Sequence, residues 1–385
     1  MFCLIANVIH TSLNYRGGAE GLAITTIEAL ANLGFDVELT ILEKPNIEEL
    51  EDAYGNTIVS ILKNTSAVYT LQTFEESTQK YDIVINTAGD VLPYFSPSFS
   101  KINAITYCHF PLAIYRIMGK DPIYIEFLKR IRFSNNLENY NEKANLELAS
   151  TTYTKMIRNS TVITNSEYSR NALYKTFHID CIVLSPPVNV DLFRNNVLLN
   201  SSNNRKNIIL VISRLHPSKK VENAILLAKL LKQNKIDVTM KIVGNLYPSE
   251  LCYYAFLEQM IQEYNLADNV TIQTNISFTN LVALMRECKL YFNQCPGEPF
   301  GISTVEAMSA GLIPVVPDVG GQTEFVPSKY HFHTFGEAMQ IICSALNVDN
   351  SERVCLSDSV KKYSIKRYIE HLRRIVEMLL FEHEL

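Results

Sequence analysis

Short apolar runs alternate with amphipathic stretches along the chain. Phe2–Ile9 is a continuous apolar run, the pattern of a strand buried on both faces. Ala19–Leu33 follows with helical spacing at Leu22, Ile24, Ile27 and Leu30. Val37–Leu42, Asp82–Asn86, Ile102–Cys108 and Thr161–Thr164 read as further short strands, and Asn135–Asn145 as a polar surface segment. This alternation predicts a parallel sheet wrapped by helices.

The pattern then restarts. Ser185-Pro186-Pro187-Val188 breaks regular structure, and Leu199–Asn207 is polar. Asn207–Ser213 reads as a new first strand and Glu222–Gln233 as a new first helix, with strands at Val238–Val243, Val270–Gln273, Lys289–Gln294 and Ile313–Val316. The reading is two doubly wound α/β domains joined near residues 185–190. A last helix begins after Ser364, with Tyr368, Leu372, Ile375, Val376 and Leu379 on one face and Lys366, Arg367, Arg373 and Arg374 on the other. Its apolar face needs a partner, either the first domain or the surface of the second. The adopted division is 1–187, 188–363, and 364–385 returning to the first domain.

Composition narrows the class. Of 385 residues, 47% are hydrophobic and 19% charged, which suffices for two cores and excludes a disordered chain. The net charge of −5 argues against a general nucleic-acid binder. No apolar run approaches the roughly 18 residues that span a bilayer. The first residues lack a basic n-region and read as a strand, not a leader. The eight cysteines are scattered without a C-x-x-C pair, so they read as reduced core residues of a cytoplasmic protein and not as metal ligands.

The sharpest chemistry lies in Cys295-Pro-Gly-Glu298-Pro-Phe300-Gly301-Ile302-Ser303-Thr-Val-Glu306-Ala-Met-Ser-Ala-Gly311. A strand ends in a Pro/Gly turn, and a helix starts near Ser303 or Thr304 and stops at Gly311. Open α/β sheets bind ligands beyond the carboxyl ends of their strands. A glycine permits close backbone approach, and a helix start suits a diphosphate. Glu298 and Glu306 would then face one ligand as acceptors for sugar hydroxyls.

Glu298-x7-Glu306, followed by Ala310-Gly311-Leu312-Ile313-Pro314-Val315, resembles the signature of the retaining GT-B glycosyltransferases of family 4 (group 1). The wording is similar to that of the enzymes that elongate lipid-linked oligosaccharides on the cytosolic membrane face, dolichol-linked α-mannosyltransferases above all. The resemblance implies two Rossmann-like domains facing a cleft. It gives Glu306 the nucleotide ribose and Glu298 the donor sugar, with Phe300, Gly301, Ile302 and Ser303 completing the donor loop. Ser213-Arg214-Leu-His-Pro-Ser-Lys219 resembles the family's Arg-x4-Lys clamp for the diphosphate. Lys220 stands where the family usually has glycine, which leaves Lys219 and Lys220 as alternatives for the cation.

Three further segments agree. Arg16-Gly17-Gly18-Ala19-Glu20 resembles the Gly-Gly-x-Glu loop that approaches the donor phosphate, implicating Gly17 and Gly18. Tyr107-Cys108-His109-Phe110-Pro111 is similar to a His-aromatic-Pro segment, which makes His109 a catalytic candidate or a structural histidine. Thr164–Arg170 matches an architectural segment, and Gly320-Gly321-Gln322-x-Glu324 a loop near the donor sugar.

The implied reaction is hexosyl transfer, mannose or glucose, from a GDP- or UDP-sugar to a glycan acceptor, lipid-linked on this resemblance. It retains anomeric configuration and runs without a metal or cofactor. Arg214 and Lys219 stabilise the leaving diphosphate. Peripheral contact with the cytosolic membrane face is implied through the basic stretches Lys129–Arg132 and Lys361–Arg374. Two alternatives stay open: a sugar-nucleotide epimerase of the same fold, and a non-catalytic subunit of a glycan-assembly complex. A nicotinamide oxidoreductase is disfavoured, because no G-x-G-x-x-G occurs.

Overall fold

The computed structural model describes residues 4–14, 17–41, 43–48, 50, 66–68, 80–89, 103–111, 154–195 and 205–381. Arg16, the Asn135–Asn145 segment, the basic stretch Lys129–Arg132 and residues 199–204 lie outside the described residues. The chain divides into two units, Met1–Pro187 with Ile365–Leu385, and Val188–Ser364.

The first unit carries a seven-stranded sheet in the order β3-β2-β1-β4-β5-β6-β7. Its strands are β1 (Ile5–Ile9), β2 (Asp36–Thr40), β3 (Ser66–Val68), β4 (Ile83–Asn86), β5 (Asn103–Cys108), β6 (Thr161–Thr164) and β7 (Ile182–Val183). All pairings are parallel. β4 is buried along its whole length and β1 along nearly all of it, which explains why these segments read as unbroken apolar runs. One polar side chain inside β1 is matched across the ladder: Asn7 Nδ2 donates to Thr40 Oγ1 at 3.0 Å. Helix α1 (Gly18–Asn32) follows β1, its apolar face in the same core as β1 and β2. Helix α2 (Glu167–Phe177) starts where Ser166 accepts from the Ser169 amide, and it ends at His178 in the left-handed region.

The second unit repeats the plan in six strands, ordered β10-β9-β8-β11-β12-β13. They are β8 (Lys206–Ile212), β9 (Thr239–Gly244), β10 (Val270–Thr274), β11 (Cys288–Phe292), β12 (Ile313–Pro317) and β13 (His331–Phe332). Helix α3 (Glu222–Gln233) follows β8, and helix α4 (Ile302–Ser309) lies between β11 and β12. Both sheets therefore reverse strand order beside their first strand, β1 against β4 and β8 against β11. The two- and three-residue edge strands β3, β7 and β13 leave no periodicity long enough to read in the sequence.

Arg205, inside the stretch that reads as a polar linker, is instead a structural clamp. Its guanidinium donates to the carbonyls of Met285, Cys288 and Ala310, each at 2.7 Å. Arg353 does the same for Lys289 and Gly311. The two cations satisfy carbonyls at and just before the start of β11 and in the turn that leads into β12.

The C-terminal helix α5 (Ile365–Phe381) belongs to the first unit. Tyr368, Leu372, Ile375 and Val376 are buried in the core that holds Leu22, Ile27 and Leu30. Tyr368 Oη lies 2.7 Å from Thr26 Oγ1 on α1. On its outer face Arg367 pairs with Glu370 and Arg373 with Glu377, so two of its four cations carry counter-charges.

Candidate active site

In the second unit the predicted residues gather beyond the carboxyl ends of β8 and β11, at the reversal of strand order, where open α/β sheets bind ligands. After β8 the chain runs through exposed Arg214 into a short turn at Pro217–Lys219. The Lys219 amide donates to His216 O, and the Lys220 amide to Pro217 O. Lys219 Nζ is 2.6 Å from Glu298 Oε2, which arrives from the loop after β11. The two loops are bound together elsewhere as well. Gln294 Nε2 donates to Lys219 O at 2.8 Å, and Asn223 Nδ2 to Gln294 O at 3.0 Å.

Lys220 occupies the left-handed region at φ 49°, ψ 47°, which is the conformation a glycine would take without strain. The structure thus accounts for the family's preference there, and it assigns the ion pair with Glu298 to Lys219. His216, not singled out from the sequence, braces the turn: the Ser218 amide and hydroxyl both point at its Nδ1, at 3.1 and 2.7 Å. Burial lowers the pKa of this imidazole, consistent with an acceptor nitrogen.

The Glu298 loop is secured to the segment after β12. The Gly321 amide donates to Glu298 O at 2.8 Å and the Gly297 amide to Val319 O at 3.0 Å. Gly301 caps α4 from the left-handed region at φ 98°. The first amides of such a helix have no partner within it, so Ile302 and Ser303 stand where an anion is favoured. Ser303 Oγ lies 2.8 Å from the buried Tyr291 Oη. The Phe300 ring is in the core, with centroids 5.4 Å from Phe325 and 5.2 Å from Tyr363, so its side chain serves packing and not the loop surface. Glu306 is half-buried on α4 and forms no ion pair among the described residues. Burial pushes its carboxyl up to about 7. Of the four predicted charged groups, Lys219 and Glu298 are in contact. Arg214 is on the same loop as Lys219 and likewise forms no ion pair among the described residues.

In the first unit Gly17 and Gly18 open α1, and Glu20 Oε2 accepts from the Gly17 amide at 2.8 Å. His109 follows β5, with Nε2 at 3.0 Å from Thr87 O. The carbonyl can only accept, so Nε2 carries the hydrogen and Nδ1 a lone pair. Burial takes the His109 imidazole down to about 4, so it is neutral at physiological pH. The Thr164–Arg170 segment braces it: Asn165 Nδ2 donates to His109 O at 2.7 Å, and Thr164 Oγ1 to Cys108 O at 2.8 Å. His10 and Thr87, missed in the sequence, stand beside these groups. The only hint of His10 was a histidine closing the first apolar run.

Among the described residues no cluster of three or more His, Cys, Asp or Glu side chains is arranged to hold a metal ion. No described helix is long and apolar enough to cross a membrane. The seven described cysteines are all free.

Two doubly wound sheets, each with its candidate groups at the strand-order reversal, define the GT-B fold of glycosyltransferases. Residues 199–342 match the family described as glycosyl transferases group 1. The Anabaena protein Alr3699/HepE, solved with UDP and glucose, superposes with a TM-score of 0.67 at 16% identity, covering 97% of this chain and 99% of that one. The GDP-Man:Man(3)GlcNAc(2)-PP-Dol alpha-1,2-mannosyltransferase of Neurospora crassa is 28% identical over 222 residues, 52% of this chain and 40% of that protein. The alpha-1,3/1,6-mannosyltransferase ALG2 of Mus musculus is 24% identical over 347 residues, 81% of this chain and 80% of that protein. The chain spans less than half the length of the Neurospora protein and of its Dictyostelium discoideum and Candida albicans counterparts, at 40%, 32% and 45%.

Proposed function

We propose that this chain transfers a hexosyl group, mannose before glucose, from a nucleoside-diphosphate sugar to a lipid-linked glycan, retaining anomeric configuration. The observation that carries the reading is the Lys219–Glu298 contact at the β8/β11 reversal, within the group 1 module. On this reading Lys219 serves the diphosphate and Glu298 the sugar, two groups joined directly in any sugar nucleotide, and the contact between the two side chains supports it. The printed names of the Neurospora and mouse relatives support mannose, and the former also supports GDP and a dolichol-linked acceptor.

Arg214 and Lys219 balance the charge that grows on the diphosphate as the anomeric bond stretches, which lowers the barrier by about 3 kcal/mol. Glu298 orients the sugar and Glu306 accepts from the ribose. His109, neutral, offers its Nδ1 lone pair to a hydroxyl. The leaving phosphate takes the acceptor's proton, so no side-chain nucleophile enters. Arg214 and Lys219 fill the role a divalent cation has elsewhere, and transfer is expected to persist in chelator.

The test is a panel of GDP- and UDP-sugars, scored first by thermal stabilisation and then by transfer to a polyprenyl-diphosphate glycan. Stabilisation by GDP-mannose and transfer with retained configuration are expected. Conversion of donor to an isomer without acceptor would turn the reading into an epimerase. Absence of any nucleotide binding would turn it into a non-catalytic subunit.

A further inference from the structure

His10 follows β1 and Thr87 follows β4, so both stand at the strand-order reversal of the first sheet. His10 is only 2% exposed. Its Nδ1 is 3.0 Å from Thr87 Oγ1, and that hydroxyl gives its single hydrogen to Ile9 O at 2.8 Å. Thr87 must therefore accept from His10, which places a hydrogen on Nδ1. The other ring nitrogen, Nε2, is enclosed and has no hydrogen-bond partner. It faces Glu20 Oε1 at 3.8 Å.

Glu20 is itself buried, and its second oxygen holds the Gly17 amide. Burial works to raise its pKa, but the neighbouring His10 ring and the Gly17 amide outweigh it and the carboxyl lies below the ordinary range. A Cβ at Gly17 would sit 2.7 Å from Glu20 Oε2, so a side chain there would displace the carboxylate. A bare lone pair on Nε2 would repel the carboxylate, so the arrangement favours a ring with hydrogen on both nitrogens. Another titratable group near His10 is His109, neutral and tied to the Thr87 carbonyl. Thr87 thus anchors one histidine through its side chain and the other through its backbone.

We propose that His10 is a positioning residue that acts through Glu20: its Nε2–H sets the carboxylate that holds the Gly17-Gly18 turn in shape for the donor. The proposal deepens the transferase reading and rests on it for the word donor. The geometry of the turn can be read without it.

The experiment compares His10→Asn and His10→Gln in the full chain. Asn keeps a donor near Nδ1 but nothing that reaches Glu20, whereas the Gln amide reaches the place of Nε2. Protection of the Gly17 amide against hydrogen exchange should fall severalfold, about tenfold at most, in His10→Asn, as the carboxylate that accepts from that amide loses its neighbour, and return in His10→Gln. Donor KM should rise in His10→Asn with kcat little changed. Gly17 protection unchanged in His10→Asn, or equal losses in both variants, would overturn the positioning role and leave His10 a packing residue. A wild type with no transferase activity would remove the donor reading, while exchange at Gly17 would still decide whether His10 holds the turn.

Discussion

Lys219 Nζ and Glu298 Oε2 are 2.6 Å apart, although one comes from the loop after β8 and the other from the loop after β11. Both side chains are partly open to solvent, so the pair itself contributes little to stability. Its meaning lies in placement. Lys219→Ala should weaken nucleoside-diphosphate binding by about tenfold or more, the loss of one charge-assisted contact. Glu298→Gln should leave that binding intact or tighter, because it removes a negative charge beside the phosphates, yet it should depress sugar transfer. Calorimetry with the nucleoside diphosphate separates the two. Equal losses of nucleotide binding would show that the division of roles is wrong.

Glu306 gives a pH signature. Burial raises its carboxyl from 4.5 to about 7, so the folded chain holds this proton more tightly than the unfolded chain does. The stability from that difference is complete below the unfolded value and is lost as pH rises from about 4.5 to about 7. Glu306→Gln should flatten this segment of the profile in denaturant titrations. If the carboxylate accepts from a ribose, nucleotide affinity should climb from about pH 6 to about pH 8, and the Gln variant should lose the climb.

Lys220 holds a left-handed backbone that disfavours any residue with a Cβ. Lys220→Gly should stabilise the fold by about 0.5–1 kcal/mol, the relieved strain less the added freedom of the unfolded chain. Transfer should survive, because Lys219 is the cation in contact with Glu298. Thermal unfolding and a turnover assay check both. Loss of transfer with the fold intact would give the role to Lys220.

Thr26 and Tyr368 test how α5 is joined to α1. Thr26 Oγ1 donates its one hydrogen to Leu22 O at 2.8 Å and lies 2.7 Å from Tyr368 Oη, so the phenol donates in the second bond. Tyr368→Phe leaves Thr26 still bonded to Leu22 and should cost about 1 kcal/mol. Thr26→Val strands the buried phenol and should cost more, about 2 kcal/mol. Equal costs in urea titrations would contradict this directionality.

Much of the plan was legible in one dimension. Strands buried on both faces leave apolar runs, which is why β1, β4, β5, β6 and β8 were visible, and the Glu298–Gly311 segment carries its turn, cap and helix stop in consecutive residues. What the chain order could not express is which distant atoms meet. Phe300 reads as part of the donor loop but its ring is in the core against Phe325 and Tyr363, and Arg205 reads as linker but clamps three carbonyls.

By itself the sequence determined two doubly wound α/β halves, the loops bearing Arg214, Lys219, Glu298 and Glu306, and the amphipathic last helix, because all of these rest on local periodicity and turn chemistry. Only the tertiary structure decided that Lys219 and not Lys220 meets Glu298, that α5 belongs with α1, and that His10 faces Glu20 beside Thr87. Those relations depend on strand order and on which side chains burial brings within a few ångströms, and neither is written in the spacing of residues along the chain.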